Sequence, residues 1–161
     1  PDGGLDPEAG FGYFEDKTVA PLPGITEPRF ERAGQSGLAD QEWVIGVRVG
    51  RIYRAYPIKN MSQLKTHVIN DLIDGTPVTI TYCDWVDKAR VLTDPDCDSP
   101  LDVAIGGWDV QGLQLSLVIQ GTPYLQSSSE VPLRDHPFEL MTWGQWRRAH
   151  PATDILVVTP K

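Results

Sequence analysis

The run Val78-Thr79-Ile80-Thr81-Tyr82-Cys83 constrains this chain more than any other stretch. β-branched and aromatic side chains fill it, and these fit the pleated surface of a strand better than the crowded surface of a helix. It carries no charge, so it reads as a central strand with a neighbour on each side. The rest of the chain has to supply that sheet.

Two hairpins do so. Trp43-Val44-Ile45-Gly46-Val47-Arg48-Val49 and Ile52-Tyr53-Arg54-Ala55-Tyr56-Pro57 flank Gly50-Arg51, where Gly50 supplies a positive φ. Pro57 has no amide hydrogen to give a ladder, so the strand stops there or lies at an edge. Residues 111–120 alternate Leu113, Leu115, Leu117 and Ile119 on one face, and Gly121-Thr122 turns them into Tyr124-Leu125. Further strands are expected at 89–92, at 101–105 up to a break at Gly106-Gly107-Trp108, and at 155–158.

Two segments read as helices. Met61, Leu64, Val68 and Leu72 recur at helical spacing behind Asn60 as N-cap, with Asp74-Gly75 as the stop. Residues 138–150 carry Thr142 as N-cap, Trp143 and Trp146 on one face, Arg147 and Arg148 in the last turn, and Pro151 as a stop. The fold class expected is therefore α+β: a mostly antiparallel, curved sheet or partly open barrel with two short helices. The 161 residues suit one core, and fourteen prolines with fifteen glycines fit a turn-rich chain. Residues 1–42 read as an extended Pro/Gly-rich arm pinned by Phe11, Tyr13, Phe14 and Phe30, and residues 43–161 as a single globular β-rich domain.

A net charge of -8 repels phosphate backbones, so nucleic acid is not an expected partner. No apolar run approaches the ~18 to 20 residues of a membrane span. Neutral or cationic partners are the expectation.

His67 and Cys83 carry the chemistry. With fifteen residues and a turn between them, the chain doubles back and can bring an imidazole and a thiolate to one point. Such a pair suits copper or zinc, or axial ligation of haem iron; without Cys-x-x-Cys-His any haem is non-covalent. His136, His150, Met61 and Met141 are the further histidine and methionine donors. A Cys83–His67 nucleophile pair oriented by Asn70 or Asp71 is a separate reading, and a buried Cys83 with a hydrogen-bonded His67 is a third. Cys97, fourteen residues after Cys83, either bridges to it or is a loop thiol.

Arg54-Ala55-Tyr56-Pro57, His67, Asn70-Asp71, Gly75-x-Pro77-Val78, Thr81-Tyr82-Cys83 and Thr142-Trp143-Gly144-Gln145-Trp146 with His150-Pro151 occur in one order. In these the chain, over roughly residues 43–158, resembles the uncharacterised bacterial family called domain of unknown function 3179. The resemblance implies no general activity. Family members often read Cys-Pro-x-Cys where this chain has Cys83-Asp84-Trp85-Val86, so the second cysteine falls on Val86 and dithiol redox chemistry is not expected.

The functional expectation is a periplasmic or otherwise extracytoplasmic protein, not an enzyme, in which His67 and Cys83 hold copper or non-covalent haem for electron transfer with a redox protein. The alternative is a non-catalytic accessory subunit of a larger protein assembly.

Overall fold

The computed structural model describes residues 21–157. In chain order the strands are β1 (Leu22–Pro23), β2 (Ile25–Thr26), β3 (Arg29–Arg32), β4 (Trp43–Val49), β5 (Ile52–Pro57), β6 (Val68–Ile73) and β7 (Thr76–Cys83). There follow β8 (Lys88–Thr93), β9 (Val103–Asp109), β10 (Gln114–Ile119), β11 (Thr122–Leu125), β12 (Arg134–Asp135), β13 (Glu139–Thr142), the helix α1 (Trp143–Ala149) and β14 (Asp154–Val157). They form three sheets in the orders β1-β9-β10-β11, β12-β8-β7-β6-β2 and β13-β4-β5-β14-β3.

This corrects the α+β expectation. Strand accounts for 50% and helix for 12%, there is one α-helix among the described residues, and the sheets do not close into a barrel. Residues 60–71 are where the reading went wrong. Only two 3-10 turns form there, Ile58–Met61 and Leu64–Thr66, and Val68 onward is strand. The spacing of Met61, Leu64, Val68 and Leu72 imitated a helix, yet Asp74-Gly75 lies between two β-branched runs. Asp74 at φ 52 and Gly75 at φ 80 form the two-residue turn of a hairpin, pairing Ile73 with Thr76 and Val68 with Thr81. The second helix forms with Thr142 as its N-cap, accepting from the Gln145 amide, but residues 139–142 before it join β4 as a strand. At the glycines expected to break the third run, β9 continues through a bulge: Gly107 faces Ser116 while Ile105 faces Leu117, leaving Gly106 as the extra residue.

The run 78–83 lies where its composition demands. β7 pairs with β6 on one side and β8 on the other, and both its faces are buried. Val78, Ile80 and Tyr82 pack with Ile45, Val47, Tyr56 and Leu156 of the third sheet. Cys83 points the other way, into a cluster of Val68, Leu92, Val103, Ile105, Leu115 and Leu117 shared with the first sheet. The period-2 alternation of a strand thus puts the second sheet between the other two. Beyond the third sheet, Trp143 and Trp146 of α1 close a last cluster over Val44, Ala55 and Ile155, and Gly46 is bare because any Cβ there would meet the Trp146 ring.

Residues 22–32 join all three sheets in succession: β1 pairs with β9, β2 with β6, and β3 with β14. Phe30 stacks edge-on to Tyr56 at 5.8 Å and lies under the Arg54 guanidinium at 4.2 Å. Phe11, Tyr13, Phe14 and Val158 lie outside the described residues.

Candidate functional site

His67 and Cys83 are both buried, at 1% and 0% exposure, but they do different things. His67 ends the second 3-10 turn, and its carbonyl accepts from the Tyr82 amide at 2.9 Å, so it stands beside the end of β7 as the turn between them requires. Its ring Nδ1 is 2.9 Å from the Met61 carbonyl, and Nε2 is 3.6 Å from an Asp84 carboxylate oxygen. The Cys83 side chain is on the face of β7 opposite Tyr82, sealed among aliphatic side chains. Alternation along a strand sends neighbouring side chains apart, and no spacing argument between positions 67 and 83 contains that parity.

The remaining donors are dispersed. His136 Nε2 is 3.1 Å from the Arg48 carbonyl, and His150 stacks on Tyr53 with ring centres 4.0 Å apart. Met61 lies in the core between the second and third sheets, and Met141 packs with the tryptophan cluster. Cys97 and Cys83 are both free thiols, and the Cys97 sulfur donates to the Ser99 carbonyl at 3.3 Å. Among the described residues no three His, Cys, Asp or Glu side chains converge to hold a metal ion. A transition-metal site needs three or four such donors, and a haem needs an apolar slot beside its axial ligand. Cys83 itself stands among the aliphatic side chains of Val68, Leu92, Val103, Ile105, Leu115 and Leu117. Asn70 and Asp71, the sequence's candidates for orienting His67, face other partners: Asn70 bonds Thr79 and Val103, and Asp71 bonds Arg54 and Tyr56.

Burial lowers the His67 pKa from its ordinary value; the Asp84 carboxylate and the Met61 carbonyl oppose this without overcoming it. The fold therefore favours neutral imidazole, while the unfolded chain takes up a proton near pH ~6.5. Stability falls as pH drops below that value, because the unfolded state then binds the extra proton. In an NMR titration the His67 ring is expected to protonate below the ordinary histidine range, and Asp84→Asn to push it lower still. Titration of His67 above that range in the native protein would contradict this.

Sequence reasoning did not find the aromatic ends of two hairpins. Trp85, in the turn after β7, is 52% exposed, and its ring centre is 5.1 Å from that of Trp108 near the end of β9. Val86 beside it, and Val110 and Leu113 in the turn after β9, are also exposed. The alternation places Leu113 in one row with Leu115, Leu117 and Ile119, but it lies in the turn before β10 at φ 57, a strained value for a bulky side chain, and is exposed while the other three are buried. Asp84, Asp87 and Asp109 stand around these side chains in sequence, and Asp87 accepts from the Tyr82 hydroxyl at 2.6 Å. No helix among the described residues is long and apolar enough to cross a membrane.

No curated protein and no solved structure matches the chain. A family model described as "Protein of unknown function (DUF3179)" matches residues 20–94, beginning in the arm and ending after β8, short of the Thr142–Trp146 motif. Over those residues, somewhat under half its length, the chain resembles the family of proteins of unknown function DUF3179.

Proposed function

We propose that this chain is a non-catalytic interaction module, an accessory subunit that docks on a protein partner through the ends of the β7–β8 and β9–β10 hairpins. One observation carries the reading: Trp85, Val86, Val110 and Leu113 present large apolar surface on two turns that the Trp85–Trp108 contact brings together. Clustered exposed apolar side chains mark interaction sites, and tryptophan is prominent among residues that dominate interface energies. Asp84, Asp87 and Asp109 beside them, on a chain of net charge -8, suit a partner with an apolar centre and a lysine- or arginine-rich rim. The committed state of His67 and the enclosure of Cys83 support this reading over electron transfer.

A photo-crosslinking residue at Leu113, introduced in the source cell, is expected to join the chain to one basic protein, while the same residue at exposed Lys59 gives no such product. Trp85→Ser with Leu113→Ser is expected to abolish co-elution with that partner while the circular dichroism spectrum stays unchanged. Crosslinking of Leu113 to residues 1–20 of the same chain would overturn the proposal. So would stoichiometric copper or haem in native protein that is lost in both Cys83→Ala and His67→Ala.

A further inference from the structure

The core uses only one face of the first sheet. Leu115, Leu117 and Ile119 of β10, with Val103 and Ile105 of β9, turn toward the second sheet. Alternation along a strand sends the residues between them the other way. The register places Pro23, Ala104, Val118 and Pro123 side by side in one row across β1, β9, β10 and β11. Gly107, Ser116 and Leu125 form the next row. None of these residues joins a core cluster among the described residues.

On a chain that is 22% charged, neither row holds a charged side chain. Asp109, one row further along β9, turns its carboxylate onto the amides of Gln111 and Gly112 at 3.0 and 2.7 Å. The rows are close-set: a Cβ on Gly106 would lie 2.8 Å from the Ser116 hydroxyl, so the bulge residue has to be bare. Proline stands at both margins, Pro23 on β1 and Pro123 on β11, and neither can donate to an added strand. That disfavours pairing at the edges and leaves the face. The face is continuous with the turn after β9, because Leu125 lies so close to Gly112 that a Cβ there would be 2.7 Å from its methyl carbons, and Gly112 adjoins exposed Leu113. Four half-exposed side chains at the hairpin ends fall short of the ~800 Å² that each side of a stable interface buries. Four strands at ~4.8 Å spacing add an apolar surface roughly 15 Å across. We propose that the protein partner extends from the β9–β10 turn over this outer face of the first sheet, an inference that rests on docking through that turn. The partner is then a folded protein with a flat apolar surface, which packs face to face and not as an added strand. A second copy of the chain is disfavoured, since each carries a net charge of -8.

A photo-crosslinking residue at Val118, introduced in the source cell, is expected to capture the same protein as one at Leu113, while one at exposed Arg51 in the β4–β5 turn does not. Ala104→Arg with Val118→Arg is expected to weaken binding of that protein, once purified, by about tenfold, because each buries an unpaired charge in the contact. Val118→Thr, which keeps the branched shape, is expected to weaken it less. The crosslink reads the unaltered sheet, so the test does not depend on the arginine variant folding. Capture at Leu113 without capture at Val118, or unchanged affinity in a folded arginine variant, would overturn this inference and leave docking through the turns intact. Capture of residues 1–20 or of a second copy at Val118 would also overturn it. Capture at neither position would overturn both.

Discussion

Asn70→Ala is expected to destabilise the protein by about 3 kcal/mol, although it removes only an amide. Asn70 is fully buried where the first and second sheets meet. Its Nδ2 donates to the Val103 carbonyl at 3.0 Å, while its Oδ1 accepts from the Val103 amide at 3.2 Å and from the Thr79 hydroxyl at 2.9 Å. One side chain therefore serves a neighbouring strand in its own sheet and both backbone groups of a residue in the next. The arm crosses at the same place: a Cβ on Gly24 would lie 2.6 Å from the Val103 oxygen and 2.8 Å from Asn70 Nδ2. Alanine leaves buried groups that water reaches poorly, and each unsatisfied one costs about 1–3 kcal/mol. Thr79→Val removes one bond and is expected to cost about 1 kcal/mol. Urea unfolding measures both, with an unchanged m-value showing that the same surface is exposed. An Asn70→Ala loss no larger than that of Thr79→Val would show that the amide does not join the sheets.

What the sequence revealed and concealed follows from the range of each signal. Local chemistry was legible: the Gly50 turn, the turn at Gly121 (expected at Gly121-Thr122 and formed one residue earlier by Gln120-Gly121, at φ 54 and 82), and the Thr142 cap all depend on residues a few positions apart. The central place of β7 was legible because β-branched, uncharged side chains fill both its faces. Val68–Ile73 was misread because its period suits either element, and only pairing with β7 decides between them. That the strands sort into three stacked sheets is a property of long-range pairings such as β3 with β14 and β2 with β6, which leave no local trace.

The same limit explains the candidate site. His67 and Cys83 stand out as residue types, and the chain does return His67 to the end of β7. Whether a side chain at that point faces the histidine depends on strand parity, and Tyr82 shows how little separates the outcomes: it packs with the core shared with the third sheet, one residue before Cys83 turns into the other. The Trp85–Trp108 contact arises between elements more than twenty residues apart, so it has no motif.

Asp71, the neighbour of Asn70, faces the opposite way and ties the second sheet to the third. Its carboxylate accepts from Arg54 Nη1 at 3.0 and 2.9 Å and from the Tyr56 hydroxyl at 2.5 Å, and all three groups are largely enclosed. Asp71→Ala is expected to cost about 3–5 kcal/mol, the loss typical when one member of a buried ion pair is removed. The reason is what remains. Arg54 Nε is already buried without a hydrogen bond, and among the described residues what remains for the guanidinium is distant, the Leu72 carbonyl 3.4 Å from Nη1 and Asp154 3.9 Å from Nε, so the cation loses its close acceptor. Arg54→Met combined with Asp71→Leu removes both charges and is expected to recover much of the loss, the remainder being the buried Tyr56 hydroxyl, which has lost its acceptor. A double variant as unstable as Asp71→Ala would mean that the pair itself, and not the stranded cation, supplies the stability. Tyr56 gives a second readout. Burial first, and then the Asp71 charge, raises its pKa well above the usual ~10, against a smaller opposing effect of Arg54. Burial and Asp87 raise Tyr82 in the same direction. Below pH ~10 both states keep these protons; above it the unfolded chain loses them first, so stability falls with rising pH by up to about 1.4 kcal/mol per pH unit for each tyrosine. Tyr56→Phe with Tyr82→Phe is expected to flatten that alkaline decline, whereas Asp71→Ala lessens it without removing it, since burial of the phenol persists.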